Sequence, residues 1–160
     1  MIFLHVFFNS IKLPKKEAMF RLNRIGMDIA VIYMFFLLGL VSIPALIKQL
    51  TATSGLGADL NVIFKLIYFF MFYYLPLTVL VFIAISFVAY IGRGIAHFME
   101  RKLRYSILWK MVAFTTTIPF ILYLIIAFII PVSDAYLLLT FIFSVGLLFK
   151  MISIYPKRRK

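Results

Sequence analysis

Cysteine is absent from this sequence, which excludes a disulfide framework, a thiolate nucleophile and any sulfur-ligated metal, and leaves the redox compartment unreadable. Acidic residues are almost as scarce: Glu17, Asp28, Asp59, Glu100 and Asp134 stand against 17 lysines and arginines. Paired carboxylates suited to hydrolysis are therefore missing, and no serine stands in a Ser-His arrangement. His5 and His97 are the only histidines. His97 shares a helix face with Glu100, but two ligands do not make a metal site. The runs Gly55-Leu56-Gly57 and Gly92-Arg93-Gly94 lack the lysine and the strand-to-helix setting of a phosphate loop. No catalytic constellation, no cofactor site and no metal site is expected.

What fills the sequence instead is apolar: 65% of residues are hydrophobic and 14% charged, with a mean hydropathy of +1.10. Soluble domains run near 45 to 50% apolar and about 25% charged. A chain this apolar has too little polar surface to coat a water-facing core, so lipid is the expected solvent. Four stretches approach or exceed the length of about 18 residues that marks a spanning helix: 27–47, 66–91, 111–130 and 135–153. The expected fold is all-α, a four-span polytopic membrane domain covering residues 1–160. Between the last two spans stand only Pro131, Val132, Ser133 and Asp134, which predicts a tight antiparallel hairpin with a serine or aspartate cap.

The positive charges predict the orientation, because Lys and Arg near span ends are retained on the cytoplasmic side. One cluster holds Lys12, Lys15, Lys16, Arg21 and Arg24; a second holds Arg93, Arg101, Lys102, Arg104 and Lys110; a third holds Lys150, Lys157, Arg158, Arg159 and Lys160. Only Lys48 and Lys65 remain for the opposite side. Both termini are thus expected in the cytoplasm, residues 154–160 as a basic tail, and the location is the cell membrane. The formal charge of +12 points to anionic lipid rather than to nucleic acid. Lys15, Lys16, Arg21, Arg24, Arg101, Lys102, Arg104, Lys157, Arg158 and Arg159 are the candidate headgroup contacts.

Ahead of the first span, the apolar run Met1 to Phe8 precedes its basic residues, the reverse of a cleaved signal peptide. This segment is expected to lie as an amphipathic helix in the interface up to the Leu13-Pro14 break. A second short helix from Lys15 to Arg24 would turn Met19 and either Leu22 or Ile25 inward.

Within the spans, Asp28 is the one acidic residue in an apolar run. One turn after Arg24, it suits a salt bridge or a helix N-terminus; the alternative is an ion pathway. Prolines 44, 76 and 119 each remove a backbone donor and free a carbonyl four residues earlier. Thr115, Thr116 and Thr117 supply hydroxyls for a bend at Pro119, whose sharper alternative is a broken helix lining a solute cavity. The pairs Gly26 with Ala30 and Gly92 with Ala96 have the spacing that lets helix backbones approach closely. The aromatic run Tyr68 to Tyr74 suits a headgroup belt.

Two segments carry a family resemblance. The first is Phe8-x-x-Ile11-x-x-Pro14-Lys15, then Phe20-Arg21 and Ile25-Gly26, leading into a span that ends Ser42-Ile43-Pro44. The second is Arg101-Lys102-Leu103-x-Tyr105-x-x-Leu108-Trp109-Lys110, followed by Thr117-x-Pro119. Together they cover about half the chain and resemble a bacterial family of membrane proteins, some labelled MalA-like for maltodextrin utilisation, within the Yip-like superfamily. The resemblance implies a helical bundle with cytoplasmic termini, no established enzymatic activity and a link to sugar uptake. Family members carry a sizeable extracytoplasmic domain after the first span, whereas here only the stretch from Lys48 to Lys65 stands there. The functional expectation is a non-enzymatic subunit or scaffold of a membrane complex, as a homo-oligomer or with another membrane protein. A small transporter or channel component is the alternative, and a lipid-modifying enzyme a third.

Overall fold

A computed structural model of the chain describes residues 2–51, 61–130, 132 and 135–156. Among the described residues the architecture is all-α. Two short helices come first, α1 (Ile2–Ile11) and α2 (Lys16–Asn23), separated at Leu13 and Pro14 as the sequence predicts. Then follow α3 (Met27–Val41) and α4 (Ile43–Thr51), α5 (Val62–Phe69) and α6 (Leu75–Phe98), α7 (Tyr105–Thr115) and α8 (Thr117–Ile129), and finally α9 (Ala135–Ile154). The pairs α3–α4, α5–α6 and α7–α8 each form one long rod: Met27–Thr51, Val62–Phe98 and Tyr105–Ile129 are long and apolar enough to cross a membrane. The rods outrun the hydrophobic stretches because helical hydrogen bonding continues past the last apolar residue. The expected Pro131 to Asp134 turn and its cap lie outside the described residues, apart from Val132.

Each rod is broken just before its proline. Pro44 follows a turn at Ser42, whose hydroxyl donates to the Gly39 carbonyl at 2.8 Å. Pro76 follows a π-helical stretch, Phe70–Tyr74. Pro119 follows a turn at Thr116. The pyrrolidine ring collides with the carbonyl four residues back and supplies no donor, so the distortion falls in the preceding turn. The threonine hydroxyls bond within the preceding turn, Thr115 and Thr116 donating to the Val112 and Ala113 carbonyls at 2.7 and 2.8 Å rather than to the Thr115 carbonyl that Pro119 frees. Thr117 turns across instead and bonds the Tyr33 hydroxyl of α3 at 2.9 Å.

The centre of the bundle is α7, in which every residue from Leu108 onward is buried, because α2, α3, α6 and α9 cover it on all sides. Its Trp109 indole donates to the Ser86 hydroxyl of α6 at 3.0 Å. The α6–α9 contact runs over Ala89, Gly92 and Ala96, all buried, with Leu148, Met151 and Ile152 fully buried beside them. The pair Gly92 with Ala96 therefore does mark a close helix approach, whereas Gly26 is exposed and meets only Asp28 of its own helix.

One expectation needs correction. The first helix does not simply lie on the outside of the bundle: Val6 and Ser10 are fully buried, α1 packs on α8 and α7, and Phe3 meets Phe36 of α3 edge-on at 5.5 Å. An apolar helix of ten residues is too short to span but long enough to insert beside other helices. Its other side stays bare, with Leu4, Phe8 and Ile11 all exposed. By contrast α2 follows its expected pattern, burying Ala18, Met19 and Leu22, while Ile25 is only partly covered.

Candidate functional site

Two basic segments that are far apart in sequence, and the end of α9, meet at one end of the bundle. Helix α6 ends in a Schellman turn: the Arg101 amide donates to the Ala96 carbonyl at 2.8 Å and the Glu100 amide to the His97 carbonyl at 3.0 Å. Glu100 takes the left-handed position, φ 55°, where glycine is usual. That turn aims Arg101 at α9, where its guanidinium donates to the Ser153 carbonyl at 3.2 Å. The end of α9 reaches α2 in turn, since Tyr155 meets Phe20 edge-on at 5.5 Å. Burial pushes the Tyr155 phenol up to about 12, so it stays neutral. Because a left-handed side chain costs about 1 to 2 kcal/mol and glycine is freer when unfolded, Glu100→Gly should raise stability by about 0.5 kcal/mol. Thermal unfolding in mild detergent measures it; a loss would mean that the Glu100 side chain itself holds the turn.

Lys110 is the buried member of this end. It stands one and a half turns into α7, 9% exposed, and its ammonium donates to the Asn23 and Ile25 carbonyls at 2.9 and 2.6 Å. These carbonyls close α2 and lead into α3, where no further helical amide follows to bond them. Lys110, counted in the second basic cluster and not among the candidate headgroup contacts, is thus turned inward. It is a cap delivered from another helix, and its burial among Trp109, Met111 and Val112 is the signal that distinguishes it from its neighbours.

At the mouth between α1 and α2 a cleft of about 490 Å³ opens, lined by Asn9, Lys12, Lys15, Lys16, Glu17 and Arg21, with the buried Ala18 among its walls. Of the candidate headgroup contacts, Lys15, Lys16 and Arg21 are brought together here. Arg24 is exposed beyond the end of α2, Lys102 and Arg104 are exposed on the α6–α7 connection, and Arg101 is partly buried against α9. Lys157, Arg158 and Arg159 lie outside the described residues. The candidates omitted Lys12 and Asn9, which complete the cleft; their signal was position, Asn9 in the last turn of α1 and Lys12 just after it. Asn9 is held by its own helix, its amide donating to the His5 carbonyl at 2.6 Å.

The two span candidates have structural partners. Asp28 is exposed in the first turn of α3, and its carboxylate folds back over Gly26, where an added Cβ would collide with it. It thus takes the helix N-terminus, one of its two structural expectations; among the described residues no ion pair joins it to Arg24. Pro119 is buried, and its carbonyl accepts the Tyr136 hydroxyl of α9. Beside it lies a second cavity, about 260 Å³, with Tyr73, Tyr123, Tyr136 and Thr140 on an otherwise apolar wall.

Long apolar helical rods, a polar and cationic end, and an apolar exterior define a helical protein with three helices fit to cross a membrane. The chain belongs to the DUF1189 family of proteins of unknown function, whose family model matches residues 55–152, from the α4–α5 connection into α9. No curated protein and no solved structure matches the chain.

Proposed function

We propose that this protein is a non-enzymatic subunit or scaffold of a membrane complex, with four spans and its basic end in the cytoplasm. The observation that carries the reading is the length and bareness of the Val62–Phe98 rod. Its 37 residues extend roughly 55 Å at about 1.5 Å each, whereas a hydrocarbon layer of about 30 Å crossed at the usual tilt of about 20° takes roughly 32 Å. If Arg93 marks the cytoplasmic boundary, about 21 residues of crossing end near Phe72, and α5 lies at or beyond the opposite headgroups. Yet α5 exposes Val62, Ile63, Phe64, Leu66 and Ile67. Among the described residues nothing covers that surface, on this crossing it lies outside the hydrocarbon, and an apolar patch left to water marks an interaction site.

The fourth span of this reading is α9, whose 20 residues suffice to cross the layer. It makes the number of crossings even, which lets α2, the α6–α7 connection and the α9 end share one side. The family resemblance to MalA-like and Yip-like membrane proteins agrees with a bundle of this kind.

The test is photo-crosslinking in native membranes from a reactive residue at Phe64 or Ile67, with Ile83 of α6 as a lipid-facing control. A discrete adduct at 64 and 67, identified by mass spectrometry as another integral membrane protein and missing at 83, is expected. An adduct of twice the chain mass would replace the partner by self-association. Lipid adducts alone at all three positions would overturn the reading.

A transporter component linked to sugar uptake is the second reading, favoured by the tyrosine-lined cavity at the Pro119 bend. Solute flux in liposomes containing this protein alone, lost on Tyr136→Phe, would establish it over the scaffold reading.

A further inference from the structure

We propose that the cleft between α1 and α2 seats one anionic phospholipid, its phosphate held by Lys12, Lys15, Lys16 and Arg21 and its acyl chains laid along the bare side of α1. The inference rests on the membrane reading above and names a lipid site within it.

Two independent features meet at this place. The first is charge: four cations and the single anion Glu17 line one opening of about 490 Å³. That size lies in the range of small-ligand sites, about 300 to 1,000 Å³. The four cations come from a turn and from two faces of an eight-residue helix, and they converge because α2 is anchored from below. Ala18, Met19 and Leu22 are buried against the bundle, and the Lys110 ammonium holds the end of the helix. The buried side of α2 thus leaves Lys16 and Arg21 facing the cleft. A phosphate oxygen accepts hydrogen bonds from ammonium and guanidinium groups alike, and the pairing is strengthened at a poorly hydrated interface.

The second feature is apolar. Leu4, Phe8 and Ile11 repeat at four and three residues, the spacing of one helix face, and are 59%, 58% and 43% exposed. Lys12 follows Phe8 by four residues, so the apolar stripe leads to the cationic mouth. A phosphate at the mouth and hydrocarbon along the stripe match an amphiphile with its headgroup at the end of the bundle. Free inorganic phosphate would use only half of the surface.

Native mass spectrometry of the full chain in mild detergent tests this with three probes: phosphatidylglycerol, phosphatidylcholine and inorganic phosphate. One phosphatidylglycerol is expected to remain bound, with phosphatidylcholine at least tenfold weaker. Each cation near a lipid surface contributes about a fivefold factor, so Lys12→Gln with Lys16→Gln should weaken retention about 25-fold. Lys102→Gln with Arg104→Gln, outside the cleft, should change it less than twofold. Phe8→Ser should weaken the lipid and leave any phosphate binding unaltered.

Equal loss from the two double variants would mean diffuse charge and would overturn the seat. Equal binding of both lipids, or phosphate competing with phosphatidylglycerol at equal concentration, would overturn it as well. Circular dichroism of each variant separates loss of binding from loss of fold. The membrane reading has its own readout: a chain that stays dispersed in buffer without detergent sinks that reading, whereas a detergent-requiring chain that retains no lipid sinks only the seat.

Discussion

Replacing Lys110 with methionine should lower stability by about 2 kcal/mol, although it removes a charge from an apolar surround. Two effects oppose each other. Desolvating an ammonium is costly, and an apolar side chain of similar length relieves that cost. Against this, hydrogen bonds to charged groups contribute about 1.5 to 3 kcal/mol each, and loss of the donor leaves the Asn23 and Ile25 carbonyls without it. Two short bonds outweigh one desolvation because the partners cannot turn to water without unwinding the end of α2. The signature is local as well as global: an eight-residue helix does not hold itself together, so amide exchange in Lys16–Asn23 should rise more than elsewhere. Lys102→Met, at an exposed position, should fall within about 0.5 kcal/mol of the parent. Equal exchange in α2 for parent and Lys110→Met would show that the cap is dispensable.

The larger steric effect is expected at Gly92. A Cβ built there would stand 2.5 Å from the Leu148 Cδ2 atom and 3.7 Å from that of Leu108. Alanine is tolerable, because the Leu148 methyl is the far end of a flexible side chain and helix propensity improves by about 1 kcal/mol. Leucine is not. Its remaining carbons have no room between Ala89 and Ala96 on one side and a fully buried Leu148 on the other, so α6 and α9 must separate. Overpacking of this kind costs typically 1 to 3 kcal/mol, and Gly92→Leu should reach about 3. Shortening Leu148 to alanine in the same chain should recover part of that loss, and a double-mutant cycle measures the coupling. Unfolding midpoints in mild detergent read all four proteins. If Gly92→Leu unfolds like the parent, α6 and α9 do not pack here.

Much of the helical scaffold was readable in the residues. Long apolar stretches predicted rods, since backbone groups in an apolar medium must satisfy one another and a helix does this within one segment. Pro44, Pro76 and Pro119 predicted the interruptions, because the missing donor is a local property. The Leu13-Pro14 break and the inward Met19 and Leu22 were legible for the same reason. Gly92 with Ala96 was legible as a contact, though not its partner.

The features that failed or were missed depend on neighbours distant in sequence. Lys110 reads as one more cation in a basic segment, and nothing within ten residues of it reveals that the end of α2 will lie beside it. Arg24 and Asp28 have the spacing for an ion pair, but Asp28 instead folds over Gly26 at the start of α3. The insertion of α1 is set by Phe36 of α3 and by α8, which no reading of residues 2–11 contains.

Composition and periodicity alone determined that the chain is helical, apolar on its exterior and cationic in three separate segments. These are properties of residue type at short range, fixed by hydrogen bonding and transfer free energy. Tertiary structure decided which cations gather and which is consumed: Lys12, Lys15, Lys16 and Arg21 share a cleft, Arg101 is tied to α9, and Lys110 is spent on backbone carbonyls. The reason is that the role of a charge depends on the groups that replace its water, and those come from helices far along the chain.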